Sequence, residues 1–133
     1  MVRLNLGCGL DHKPQSKGWI NVDINPEVYP DIIWDLNIPI KREEYSGINR
    51  LILGKFSGFD VLKENSVDEI LMKHCLEHLN QEIFFSMIKD FWELCQSNAL
   101  ITIIVPHWQT EGAFEPDHKW IYPPRTFKMI TED

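Results

Sequence analysis

The stretch VRLNLGCGLDHKPQSKGWINVDI, residues 2–24, decides the fold. A short apolar run meets Gly7 and Gly9, and after a connection containing Pro14 and Gly18 a second apolar run closes on the carboxylate of Asp23. Short apolar runs bounded by Gly, Pro, Asn or Asp read as buried strands. The same reading applies to residues 31–36 (DIIWDL), 67–73 (VDEILMK) and 99–105 (ALITIIV), which with 3–6 and 19–24 makes five strands. Between the last two, Leu76, Leu79, Ile83, Phe84, Met87, Ile88, Phe91, Trp92 and Cys95 recur at steps of three and four. That spacing predicts an amphipathic helix over about 80–97, with Asn80 as its N-cap. A weaker helix is expected at 43–54, where Gly47 and Gly54 count against it.

Strands separated by helix-length connections pair in parallel through right-handed crossovers, so the fold class expected is α/β, a Rossmann-like doubly wound, mostly parallel sheet. The first crossover, residues 10–18, is too short for a full helix. Few strand-like runs follow residue 107.

The 133 residues, 44% hydrophobic, suit one domain over 1–133 with one core. A net charge of −7 gives a phosphate backbone no electrostatic welcome, so bulk nucleic acid is not an expected partner. No run approaches the 18 or so apolar residues of a membrane span, and membrane attachment is not expected. Three scattered cysteines, Cys8, Cys75 and Cys95, do not form a disulfide framework and fit a reducing, cytoplasmic location.

Open α/β sheets bind ligands beyond the carboxyl ends of their strands, where the strand order reverses. Gly7 and Gly9 follow the first strand, Asp23 ends the second, Asp35 ends the third, His74 follows the fourth and His107 the fifth. All should meet at one edge. Glycines let backbone turn sharply and approach a ligand. An acid at the next strand end can accept from a ribose diol, although a tight structural turn and a solvated cap explain the same residues.

The segments LNLGCG, GWINVDI, DIIWDL, SVDEILMKHCLEHL, VPH and EPDHKW, in this order, resemble the class I S-adenosylmethionine-dependent methyltransferases, in particular a small branch with a shortened first crossover. The resemblance runs from Arg3 to about Phe127. It implies that Gly7, Cys8 and Gly9 line the methionine part of S-adenosylmethionine, that Asp23 holds the ribose hydroxyls with Ile24 beside the adenine, and that Asp35 and Leu36 read the adenine edge. His74 would lie beside the cofactor mainly through its backbone. Glu77 and His78 belong to the same pattern, while the insertion over about 40–62 departs from it. Sheets of this family normally finish with two more strands, one antiparallel, so the resemblance implies a sheet incomplete at its C-terminal side: a fragment, or a sheet completed by a second copy in a homodimer.

The function expected is transfer of a methyl group to a small or medium-sized acceptor, with His107 the first candidate for a base and His118 the second. A nicotinamide-dinucleotide oxidoreductase is one alternative, but its third glycine would fall at His12. A non-catalytic interaction module, using the aromatic tail as a contact surface, is another. No metal site is expected, because His74 and His78 do not share a helical face. Cys8 and Cys75 are expected to fill gaps rather than act as nucleophiles.

Overall fold

The computed structural model describes residues 1–45, 48–52, 61–106, 116 and 118. Five strands form one parallel sheet: β1 (Arg3–Leu6), β2 (Trp19–Asp23), β3 (Ile32–Ile33), β7 (Val67–Lys73) and β8 (Cys95–Ile104), in the order β3-β2-β1-β7-β8. Leu4 of β1 stands opposite Ile20 of β2 and Ile70 of β7, so the order reverses at β1 and opens a crevice there. The expected Rossmann-like α/β sheet is therefore the fold observed.

Between β3 and β7 a second, antiparallel sheet forms from β4 (Lys41–Tyr45), β5 (Ile48–Ile52) and β6 (Val61–Lys63). This corrects the expected helix at 43–54. Tyr45 of β4 pairs with Ile48 of β5, and Ile52 of β5 with Val61 of β6, both in antiparallel register. Pairing on both sides of β5 outweighs the weak helical spacing of this segment.

Helix α1 (Phe84–Leu94) is shorter than the expected 80–97 at both ends. Its first turn is a separate 3₁₀ turn, Gln81–Ile83, at whose N-cap Asn80 makes no side-chain capping hydrogen bond. At the other end, the carbonyls of Glu93 and Leu94 accept from the amides of Asn65 and Ser66 at 2.9 Å, and Cys95 turns directly into β8. Helix ends leave orphan carbonyls, and the turn before β7 supplies their donors. The buried face carries Phe84, Met87, Phe91 and Leu94. Trp92, expected on that face, is 81% exposed.

Leu4, Leu6, Val22, Ile70, Met72 and Phe91 make the centre of the core. Leu51 of β5 and Ile40 join it, so the inserted sheet packs on the same body. Arg42 of β4 also pairs with Glu93, and its guanidinium lies 3.9 Å from Asp90. Strand β3 is only two residues long, because Trp34 to Leu36, expected as strand, lead into a turn in which the Ile38 amide bonds to the Asp35 carbonyl at 2.9 Å.

The first crossover holds no helix beyond the 3₁₀ turn Gln15–Lys17. Two buried asparagines replace what helix packing would supply. Asn5 Nδ2 donates to the Asp11 carbonyl at 2.8 Å and to Asn21 Oδ1 at 3.0 Å, while Asn21 Oδ1 also accepts from the Lys13 amide at 2.8 Å. Asn21 Nδ2 returns a bond to the Lys13 carbonyl at 3.0 Å. A loop with buried backbone needs such partners, and these side chains provide them from the sheet itself.

Candidate functional site at the strand ends

The chain turns back on itself after β1, with Gly7 at φ +66° and Gly9 at φ +51°. A Cβ on Gly7 would lie 2.7 Å from Cys75 Sγ, so the position is limited by space as well as by conformation, whereas a Cβ on Gly9 would meet nothing within 4 Å. Glycine and acid come together through a direct bond: Asp23 Oδ2 accepts from the Gly9 amide at 2.8 Å, and Oδ1 accepts from the Asn25 amide at 2.9 Å. A carboxylate offers about four lone-pair positions. Two therefore remain for a ligand.

Beyond this turn lies a hollow of about 420 Å³. That is within the range of about 300–1,000 Å³ typical of small-molecule sites. Of the residues expected there, Gly7, Asp23, Ile24, Asp35, Leu36 and His74 line it. Cys8 and Gly9 do not. Cys8 is buried and its amide bonds to the Val22 carbonyl at 2.9 Å, so it joins the turn to β2. Asp35 has two roles at once: its Oδ1 accepts from the Asn37 amide at 2.9 Å, the local cap expected of a turn residue, and the same carboxylate faces the hollow.

Sequence reasoning missed Trp34, Asn37, Cys75, His78 and Leu79, which also line the hollow. Asn37 Oδ1 accepts from the Asn80 amide at 2.8 Å and so joins the β3 turn to the segment before α1. Cys75, His78 and Leu79 carried a signal as members of the HCLEHL segment, and Trp34 as a member of DIIWDL.

His74, at the end of β7, adopts φ +49°, an uncommon conformation for a residue with a side chain. Its amide donates to the Ile104 carbonyl at 2.7 Å. Strain of this kind gathers at functional sites, and His74 stands on the wall of the hollow. Burial pushes the Cys75 thiol up to about 12, with the charges of Glu77 and Asp23 adding to it. Cys8 is raised to about 11, chiefly by burial and then by Asp23 and Asp31. Both are thiols at neutral pH, in keeping with a space-filling role.

Of the two expected bases, His107 lies outside the described residues. His118 is half-buried, and its ring stacks edge-on against His78 with centroids 4.7 Å apart.

The fold has a known counterpart. A solved structure described as a SAM-dependent methyltransferase from Archaeoglobus fulgidus superposes with a TM-score of 0.67 at 19% identity, over 98% of this chain and 58% of that one. The fold is that of a class I methyltransferase. The chain thus spans little more than half the length of this methyltransferase neighbour. No protein-family model matches the sequence, and neither does any curated protein. Among the described residues no helix is long and apolar enough to cross a membrane.

Proposed function

We propose that this chain binds S-adenosylmethionine in the hollow at the strand ends and promotes transfer of its methyl group to a small or medium-sized acceptor. The observation that carries the reading is the charge of the walls: two carboxylates, Asp23 and Asp35, and no lysine or arginine among the described lining residues. Such walls favour a cationic ligand and disfavour a dinucleotide pyrophosphate, which would want a helix N-terminus or basic side chains. The methyltransferase neighbour points the same way.

When bound, S-adenosylmethionine supplies a methyl group on a positively charged sulfur that is already a good leaving group. The remaining tasks fall to the protein. Asp23, held in place by the Gly9 and Asn25 amides, accepts from the ribose hydroxyls with its free lone pairs. Ile24 and Leu36 give apolar contact to the adenine, and Asp35 accepts from its amino group. Gly7 brings bare backbone to the methionine end, while Cys8 and Gly9 shape the turn behind it. Holding the acceptor in line with the methyl and excluding water supplies about 7–11 kcal/mol in favourable systems. Where the acceptor is a hydroxyl, His107 takes its proton, a contribution of about 10²- to 10⁴-fold.

The test is calorimetry with S-adenosylhomocysteine. The natural chain should show saturable binding, and Asp23→Ala should weaken it tenfold or more, equivalent to about 1.4 kcal/mol. Equal affinity in the variant would remove Asp23 from the site. A non-catalytic module would bind no S-adenosylhomocysteine at all.

A further inference from the structure

A second group of chemically active side chains gathers at the rim of the hollow. The 3₁₀ turn Leu76–His78, which follows β7, sets Glu77 beside His78, and His118 packs against them. One donor atom from each of the three lies within 4.8 Å of the others. Glu77 is only 2% exposed. Its Oε1 lies 3.8 Å from His78 Nε2, and its Oε2 is buried with no hydrogen-bond partner among the described residues. A buried carboxylate oxygen is costly unless something positive satisfies it. Its lone pairs call for a positive partner.

We propose that Glu77, His78 and His118 form a binding site for one divalent cation of borderline softness, with Zn²⁺ the best match. Two imidazoles and a carboxylate are a donor set that suits zinc and its neighbours, whereas Mg²⁺ prefers oxygen ligands in octahedral array. Zinc bonds of about 2.0–2.1 Å in a tetrahedron place donors about 3.3 Å apart. The 3.8 Å between Glu77 and His78 then closes by a small side-chain rotation. The rings of His78 and His118, with centroids 4.7 Å apart and planes at 84°, already stand as two ligands of one ion can. Three protein ligands leave the fourth position open, the arrangement of catalytic rather than structural zinc. Because His78 also lines the hollow, the ion sits beside it. Sequence spacing gave no hint of the set: His74 and His78 share no helical face, and the third ligand comes from a distant segment.

The experiment is a calorimetric titration of the full chain with ZnCl₂ in buffer free of chelators, without S-adenosylhomocysteine, so that it is independent of the methyl-donor reading. The expected result is one saturable site per chain. His78→Ala and His118→Ala should each weaken it tenfold or more, since even loss of a supporting residue costs about 10- to 100-fold in metal affinity. Glu77→Gln should do the same. Glu77→Gln alters a buried position, so the decision rests on His118→Ala, half-buried, with its fold checked by circular dichroism. Co²⁺ in place of Zn²⁺ should give the visible absorption of a four- or five-coordinate ion in the natural chain and lose it in His118→Ala. The proposal is overturned by three outcomes: no saturable zinc binding, full affinity in both histidine variants, or binding that disappears in Cys8→Ser or Cys75→Ser but survives loss of the histidines. Binding of S-adenosylhomocysteine by metal-free protein is measured separately, and its failure would bear on the methyl-donor reading alone.

Discussion

At Gly7 conformation and space both demand the absence of a side chain; at Gly9 only conformation does. The two positions therefore make a controlled pair. Left-handed backbone costs a residue with a Cβ about 1–2 kcal/mol, so Gly9→Ala should lower stability by that amount. Gly7→Ala adds a clash at 2.7 Å with Cys75 and should cost about 2–5 kcal/mol in urea unfolding. Equal losses would mean that Cys75 can move aside. The thiols give a second prediction at this scale. Cys8, Cys75 and Cys95 are raised to about 11, 12 and 11. At pH 8 their thiolate fraction is then on the order of 10⁻³ or less. A disulfide reagent should label the native chain far more slowly than the urea-unfolded chain, and the rate should climb above pH 10. Asp23 was legible in the sequence because an acid at a strand end is a positional signal. That its carboxylate would bond to Gly9 was not, because a hydrogen bond across the crevice leaves no periodic trace.

Among the elements, the short first crossover shows most clearly how local composition and tertiary structure divide the work. Pro14 and Gly18 announce that no helix fits between β1 and β2, but the residues that hold the loop are Asn5 and Asn21, inside strands that read as apolar. Asn21→Leu keeps the branched shape and removes every bond to Lys13, leaving buried backbone groups unpaired. The expected loss is about 2–4 kcal/mol, read from urea unfolding. Helix α1 makes the complementary case. Its apolar spacing predicts its existence and buried face, yet its end is set by Asn65 and Ser66, which reach it from another part of the chain. Its buried Asp90 carries a pH signature. Burial raises its carboxyl above the ordinary range, opposed by the Ile40 amide and then by Arg42 and Lys89. A raised folded-state value means that the ionised group costs stability, a cost that sets in as pH rises through the unfolded carboxylate range and is complete above the folded value. Asp90→Asn retains an acceptor for the Ile40 amide, so it should be more stable than the natural chain at pH 7. That advantage should shrink on acidification through the carboxylate range.

For the molecule as a whole, the parallel sheet and the hollow at its strand ends were readable because strand runs, glycines and acids all fall at strand ends. The inserted sheet β4–β6 was not, since the residues of β4 and β5 have nearly the helical spacing of a weak amphipathic segment. The rim cluster was invisible for a simpler reason: no spacing rule links Glu77 and His78 to His118. A ligand that binds only the folded chain stabilises it by about 2.7 kcal/mol at one hundred times its dissociation constant. For a domain of this size that is a rise in melting temperature of roughly 10 °C. S-adenosylhomocysteine should produce it and NADH should not; the reverse pattern would favour the oxidoreductase reading. The bond between Gly9 and Asp23 has one further consequence. It already holds the loop in its ligand-ready shape, so little ordering is left for the moment of encounter. In stopped-flow mixing, capture should then be a single phase whose rate grows in proportion to ligand concentration without levelling off, because no slow rearrangement stands between arrival and fit.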